Sequence, residues 1–252
     1  MTGGLARLAD PDAQGVRWLV LDRADKANAL SEHMVDALHT CLDAIGPETR
    51  ALAIRGEGRN FCAGFDFAGC EEQSEGDLLL RFVRINELLE RLRSAPYPTL
   101  AWVHGAAFGA GADIACACAF RVGTAAARFR FPGFQFGIAL GTRRLATIVG
   151  PDRARTILLR NEELDAQAAL RCGLLGDLSE HADPSAAVHA MMSSAGRLDS
   201  ASVQAVNALT DAGDAHRDLA ELVRSVARRG LHERIRAYRA RAVASPGKTA
   251  SA

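Results

Sequence analysis

The sequence predicts an α/β domain followed by an α-helical C-terminal part. Two observations carry this. Short apolar runs with strand character alternate with longer stretches of helical periodicity up to about residue 140. Beyond Thr142 only helical patterns and helix caps remain. The chain has 252 residues, 48% of them hydrophobic and 24% charged, so it can bury a core without a disulfide or metal staple.

Val16 to Leu21 (VRWLVL) reads as a buried strand. Ser31 stands where it can N-cap a helix whose apolar stripe is Met34, Val35, Leu38, Cys41, Leu42 and Ile45, and Gly46-Pro47 ends it. Ala51 to Ile54 is a second strand, running through a Gly-containing turn into RNFCAGFDF (Arg59 to Phe67). Glu71 to Asp77 is polar and reads as a mobile loop. Asp77 then caps a helix carrying Leu78, Leu79, Phe82, Val83, Ile85, Leu88, Leu89 and Leu92, which Pro96 and Pro98 stop. Thr99 to Val103 is a third strand that enters HGAAFGAGADIACACAF (His104 to Phe120), and short strands follow between Arg121 and Phe136. Further on, Gly150-Pro151, Asp165, Asp183-Pro184 and Asp199 are helix punctuation or caps.

Composition removes several classes of function. Thirty basic residues balance thirty acidic ones, whereas a nucleic-acid or polyanion binder carries a basic excess. Lys26 and Lys248 are the only lysines, and Lys248 lies in a Ser/Pro/Gly/Ala tail, so Schiff-base chemistry would rest on Lys26 alone. The six cysteines include no CxxC, and Cys116-x-Cys118 is a poor zinc spacing. They read as small buried hydrophobes in a reducing compartment. The N-terminal stretch lacks an apolar signal core, and no run reaches the roughly 18 apolar residues of a membrane span. A soluble, cytoplasmic protein with no membrane partner is expected.

Two segments carry chemistry. In FCAGFD (Phe61 to Asp66) a strand runs into a turn where Ala63 and Gly64 leave the backbone open to a ligand. In GAAFGAG, Gly105, Gly109 and Gly111 follow a strand and precede a helix, at a spacing that is neither the dinucleotide fingerprint nor a phosphate-binding loop. Alone, the first reads as an ordinary tight turn, and the second is equally a close helix–strand contact. Together they are what a two-donor oxyanion hole needs, one N–H from each turn converging on one carbonyl oxygen.

These residues resemble the crotonase superfamily, the enoyl-CoA hydratases and isomerases. NFCAGFDF is similar to that family's A-F-x-A-G-x-D-L, and HGAAFGAGADIACACAFR to its second glycine-rich turn. FRFPGFQFG (Phe129 to Gly137) stands where the family has FxxPExxLG, GTRRL (Gly141 to Leu145) resembles GTQRL, and DRADKANALS (Asp22 to Ser31) resembles RPxxxNALS. LDAQAALRCGLLGDL also fits, and the likeness runs from about Val16 to Leu178, with a weaker helical match from Arg234 to Ala242. The resemblance implies a spiral of strand–strand–helix units over residues 1–195 and a helical region over 196–252 that serves oligomerisation. It further implies an enzyme acting on an acyl-CoA thioester through a stabilised enolate. Coenzyme A is part of the substrate and no separate cofactor is expected. Homotrimers or hexamers are the assemblies implied.

Carried over residue by residue, the resemblance makes the N–H groups of Phe65 and Ala110 the oxyanion donors. It places Ala63, Asp66, Phe67 and Ala68 along the pantetheine and adenine path, with Arg23, Lys26 and Ala27 near the nucleotide. Tyr238 falls at the adenine-covering aromatic and Arg241 near the phosphate-binding base. Two departures bear on the reaction. Of the two glutamates that family hydratases use as acid and base, the first is Asp113 here, one methylene shorter, and the second is Gly133, which can move no proton. One carboxylate still suffices to move a proton at carbon next to a thioester. The alternative is a non-catalytic acyl-CoA-binding homologue serving as a binding or assembly subunit. Among substitutes, Gln135 can position water, His104 reads as structural, and Arg143 and Arg144 either recognise a carboxylated acyl group or face solvent.

Overall fold

The computed structural model describes residues 4–210 and 214–244; Lys248 lies outside the described residues. The main sheet has six strands in the order β1(Ala6–Leu8), β2(Val16–Leu21), β3(Ala51–Gly56), β4(Thr99–Val103), β6(Phe120–Thr124) and β9(Asp177–Ser179). Only the β1–β2 pair is antiparallel. A second sheet joins β5(Ala106–Phe108), β7(Arg128–Arg130) and β8(Glu163–Asp165). Isolated parallel bridges, Leu30 to Phe65 and Cys62 to Ala107, carry the second layer back towards the N-terminus. Each unit therefore runs from a main-sheet strand, through a short segment of the second layer, into a helix. This is the expected spiral, and the repeat lies in geometry that no residue pattern displays.

The predicted elements form for the predicted reasons, with adjustments at their ends. The Ser31 hydroxyl accepts from the N–H of Met34 and starts α1(Glu32–Asp43). The next helix, α2(Glu75–Arg93), starts earlier than the sequence reading. Ser74 is its N-cap, and Asp77 is the third residue of a capping box, reaching back to the Ser74 N–H at 3.0 Å. α3(Ala110–Ala117) is buried along its whole length, as its run of alanines, glycine and cysteine allows.

Beyond Thr142 the expectation of helices alone is corrected by β8 and β9. Both are three-residue strands whose backbone groups pair with β7 and β6, and segments this short show no periodicity. The helices there are α4(Thr142–Val149), α5(Pro151–Arg160), α6(Ala166–Arg171), α7(Ser185–Ser194), α8(Ser200–Thr210), α9(Ala215–Val226) and α10(Leu231–Ala244). Asp165 and Asp199 accept the N–H groups of Ala168 and Ser202 as the cap signals predict, whereas the N-cap of α7 is Pro184, and Asp183, just ahead of it, accepts from Ser185. All six cysteines are free thiols, four buried and two half-buried. Among the described residues no helix is long and apolar enough to cross a membrane.

One contact set positions the C-terminus over the core. The Arg234 guanidinium donates to the carbonyls of Phe136, Gly137, Val226 and Arg228, and Arg241 donates to the carbonyl of Gln135 at 3.0 Å. Together they fasten α10 across the single-turn helix Pro132–Phe136.

Candidate active site

The turn after β3 and the turn after β5 pack backbone to backbone. Cys62 N–H donates to the Ala106 carbonyl at 3.0 Å, and Phe108 N–H donates to that of Cys62 at 2.9 Å. Gly64 has φ +87°, and a Cβ on it would lie 2.4 Å from the Phe108 oxygen and 3.2 Å from the Ala110 nitrogen. A side chain is excluded there by both conformation and space. Phe65 and Ala110 line one cavity of about 120 Å³, together with Ala63, Phe67 and Asp113. Among the described residues the N–H groups of Phe65 and Ala110 meet no backbone acceptor. Ala110 is the first residue of α3, so its N–H is one of the helix's unsatisfied donors and sits at the positive end of the dipole.

The first turn is held by side chains that the motif does not reveal. Phe65 stacks on Phe82 with centroids 4.4 Å apart, and the Arg81 guanidinium lies 4.1 Å from the centre of the Phe65 ring. Arg81 also donates to the Asp66 carbonyl at 2.7 Å. Asn28 is fully buried, and its amide donates to the carbonyls of Glu57, Asn60 and Phe61. Both Ala27 and Asn28 adopt left-handed backbone, which brings the Ala27 carbonyl within 2.9 Å of the Ala63 N–H.

Of the residues assigned to the coenzyme path, Arg23 and Asp66 pair with each other at 2.6 Å. Burial pushes the Asp66 carboxyl up, but the Ala68 N–H, Arg23 and Arg81 outweigh it and hold the group below its ordinary range. Lys26 is exposed on the single turn Ala24–Lys26, and Ala68 is exposed beside Asp66. Phe67 and Tyr238 meet over the cavity with centroids 5.9 Å apart, and Phe136 completes the cluster at 4.9 Å from Tyr238. Arg241 lies at the exposed edge of α10, bonded to Gln135.

Asp113 is 3% exposed, on the first turn of α3. Its Oδ1 has no hydrogen-bond partner. Burial raises its pKa to about 7, against the opposing pull of the Arg144 charge. The carboxylate is pressed against Gly141, where a Cβ would stand 1.8 Å from Oδ1. Thus the GTRRL glycine, with φ +66°, makes the space that Asp113 occupies. Gly133 also lines the cavity, but a Cβ there would lie 2.8 Å from the Ile138 carbonyl oxygen. The turn has closed around the missing side chain, so a glutamate would need backbone movement to fit.

The substitute groups are mostly occupied elsewhere. Arg143 pairs with Asp218 at 2.6 Å. Arg144 is buried and pairs with Glu90, so neither arginine faces solvent freely. His104 bonds the Gly58 carbonyl at 3.1 Å and lines a different cleft from Asp113, in keeping with a structural role. Sequence reasoning did not single out Arg130, whose residue lines the Asp113 cavity; its signal was a charged residue inside the phenylalanine-rich FRFPGFQF.

The relatives agree with this architecture. Residues 12–241 match the family model described as enoyl-CoA hydratase/isomerase. The enoyl-CoA isomerase/hydratase fer4 of Mycosarcoma maydis is 32% identical over 193 residues, covering 69% of this chain and 70% of that protein. A protein of Mycobacterium bovis named as the probable enoyl-CoA hydratase echA6 is 33% identical over 178 residues, covering 69% and 71%. The solved structure of a candidate enoyl-CoA hydratase/isomerase from Bordetella parapertussis superposes with a TM-score of 0.89 at 41% identity, over 97% of this chain and 100% of that one. With its two converging turns, its spiral of paired strands and helices and its helical C-terminus, the chain belongs to the enoyl-CoA hydratase/isomerase family of the crotonase superfamily.

Proposed function

We propose that the protein is an enzyme that acts on an acyl-CoA thioester through an oxyanion-stabilised enolate, with Asp113 as its single acid–base group. The observation that carries this is one cavity shared by Phe65, Ala110 and Asp113. In its ionised form Asp113 takes a proton from carbon next to the thioester. The electron pair moves to the thioester oxygen, which the N–H groups of Phe65 and Ala110 receive. The protonated acid then returns the proton to the same carbon or, where a double bond extends the enolate, to the γ-carbon, which moves the double bond next to the thioester. With glycine at residue 133, no second carboxylate from that position activates water, so proton relocation suits the site better than hydration.

Coenzyme A thioesters are expected to raise the Tm, and NAD, ATP and pyridoxal phosphate are not. A ligand of the folded state stabilises by about 2.7 kcal/mol at a hundredfold excess over its Kd. No shift with several short acyl-CoA thioesters at millimolar concentration would remove this reading. A shift without turnover of any thioester would leave the binding-only homologue.

The chain is also expected to self-associate as a homotrimer or hexamer, in a cytoplasmic setting. Val206 and Leu209 on α8, with Leu198 just before it, are exposed apolar side chains. Leu198 and Val206 line a cleft of about 380 Å³ that Arg121 and Arg144 also line. Light scattering at micromolar concentration should give a mass three or six times that of one chain; a single-chain mass would exclude it.

A further inference from the structure

Among the described residues, Arg130 is a cation without a carboxylate partner in the wall of the proposed acyl cavity. It ends β7, and its carbonyl accepts from the Gly109 N–H at 2.8 Å, so its backbone is fixed beside the second turn. The carboxylate opposite it across the strand pair, that of Glu163, is taken by Arg128 at 3.5 Å. Among the described residues, no carboxylate lies within ion-pair distance of Arg130. Its Nε donates to Asn161 Oδ1 at 3.3 Å, which steadies the guanidinium and leaves both terminal nitrogens free of protein acceptors among the described residues. The Tyr238 phenol lies within reach of the Arg130 charge, which opposes the upward push of burial on that hydroxyl. Arg130 and Tyr238 both line the cavity that contains Asp113, yet the charge acting on Asp113 is that of Arg144. The cavity therefore has an acid and a separate cation, with an apolar wall of phenylalanines.

Resting on the proposed acyl-CoA chemistry, we infer that Arg130 selects thioesters whose short acyl chain ends in a carboxylate. A guanidinium offers two parallel N–H donors that match a carboxylate, and Arg130 is half-buried, so it holds such a group more firmly than a fully exposed arginine does. The cavity of about 120 Å³ suits a short chain. Arg143 and Arg144, the arginines that the sequence offered for this role, are already paired.

The test is calorimetric binding of glutaconyl-CoA, pentenoyl-CoA and free coenzyme A to the wild-type chain and to Arg130→Met and Arg130→Lys. The wild type should prefer the carboxylated thioester over the neutral one of equal carbon number by about tenfold or more. Arg130→Met should bring that ratio close to unity, and Arg130→Lys should restore part of it. A wild type that binds both thioesters equally, or prefers the neutral one, overturns the inference and leaves the acyl-CoA reading intact. An equal loss of affinity for free coenzyme A in Arg130→Met also overturns it, because the anion held would then be a coenzyme phosphate. Failure of every coenzyme A species to bind removes the proposed function itself, and this inference with it.

Discussion

Asp113→Asn should lower kcat by about 10²–10⁴-fold, the usual contribution of a positioned acid–base group, with acyl-CoA affinity changed little. The asparagine keeps the shape that fits against Gly141 and loses the exchangeable proton. The proposed oxyanion donors are backbone groups and remain. With a pKa near 7, the ionised base accumulates as the pH rises, so the wild-type kcat should climb through neutrality and the residual rate of the variant should not. Stability moves the other way. In the folded chain Asp113 stays protonated up to about pH 7, whereas in the unfolded chain it ionises near pH 4. Between those values the folded state binds more protons, so this residue's contribution to stability falls as the pH rises. Asp113→Asn lacks that loss, and its Tm relative to wild type should rise from acid to neutral pH. Full turnover in the variant would show that the acid–base group lies elsewhere. Parallel Tm profiles would show that Asp113 is not a buried acid.

How much of this was legible in the sequence depended on whether a signal was local. Ser31, Asp165 and the two glycine-rich turns are short patterns with a direct physical meaning, and the chain folds around them as read. The strands β8 and β9 were not legible, because three-residue segments pair through backbone groups alone. Arg81 and Arg234 hold the site through contacts distant in sequence, and nothing in their neighbours marks them; Asn28 stood in the DRADKANALS segment, but its burial under three carbonyl partners was not legible. Arg144 gave a partial signal: its position in GTRRL was visible, but its burial against Glu90 was not. Gly133 shows the reverse. The missing carboxylate was plain in the sequence, while only the structure shows that the Ile138 carbonyl occupies the space a side chain would need.

A comparison of two glycines tests whether the turn contact itself matters. Gly64 and Gly69 both have left-handed backbone, at φ +87° and +70°. A Cβ on Gly69 would meet nothing within 4 Å, whereas one on Gly64 would stand 2.4 Å from the Phe108 oxygen. Gly69→Ala should therefore cost only the left-handed penalty of about 1–2 kcal/mol, read as a Tm lowered by about 2–4 °C per kcal/mol, with kcat retained. Gly64→Ala carries the same penalty and must also push the Phe108–Ala110 backbone away from the first turn. Its Tm should fall at least twice as far. A displacement of about an ångström between donors that must meet on one oxygen typically costs on the order of 10²-fold in rate, so kcat should drop by that order even at a temperature where the variant is fully folded. Circular dichroism melts and turnover of one acyl-CoA thioester at low temperature decide the matter. Equal Tm losses in the two variants, or a Gly64→Ala enzyme with wild-type kcat, would mean that the two turns do not cooperate on a common oxygen. The pair also separates stability from chemistry: Gly69→Ala sets the effect of left-handed strain alone, and whatever Gly64→Ala loses beyond it belongs to the contact between the turns.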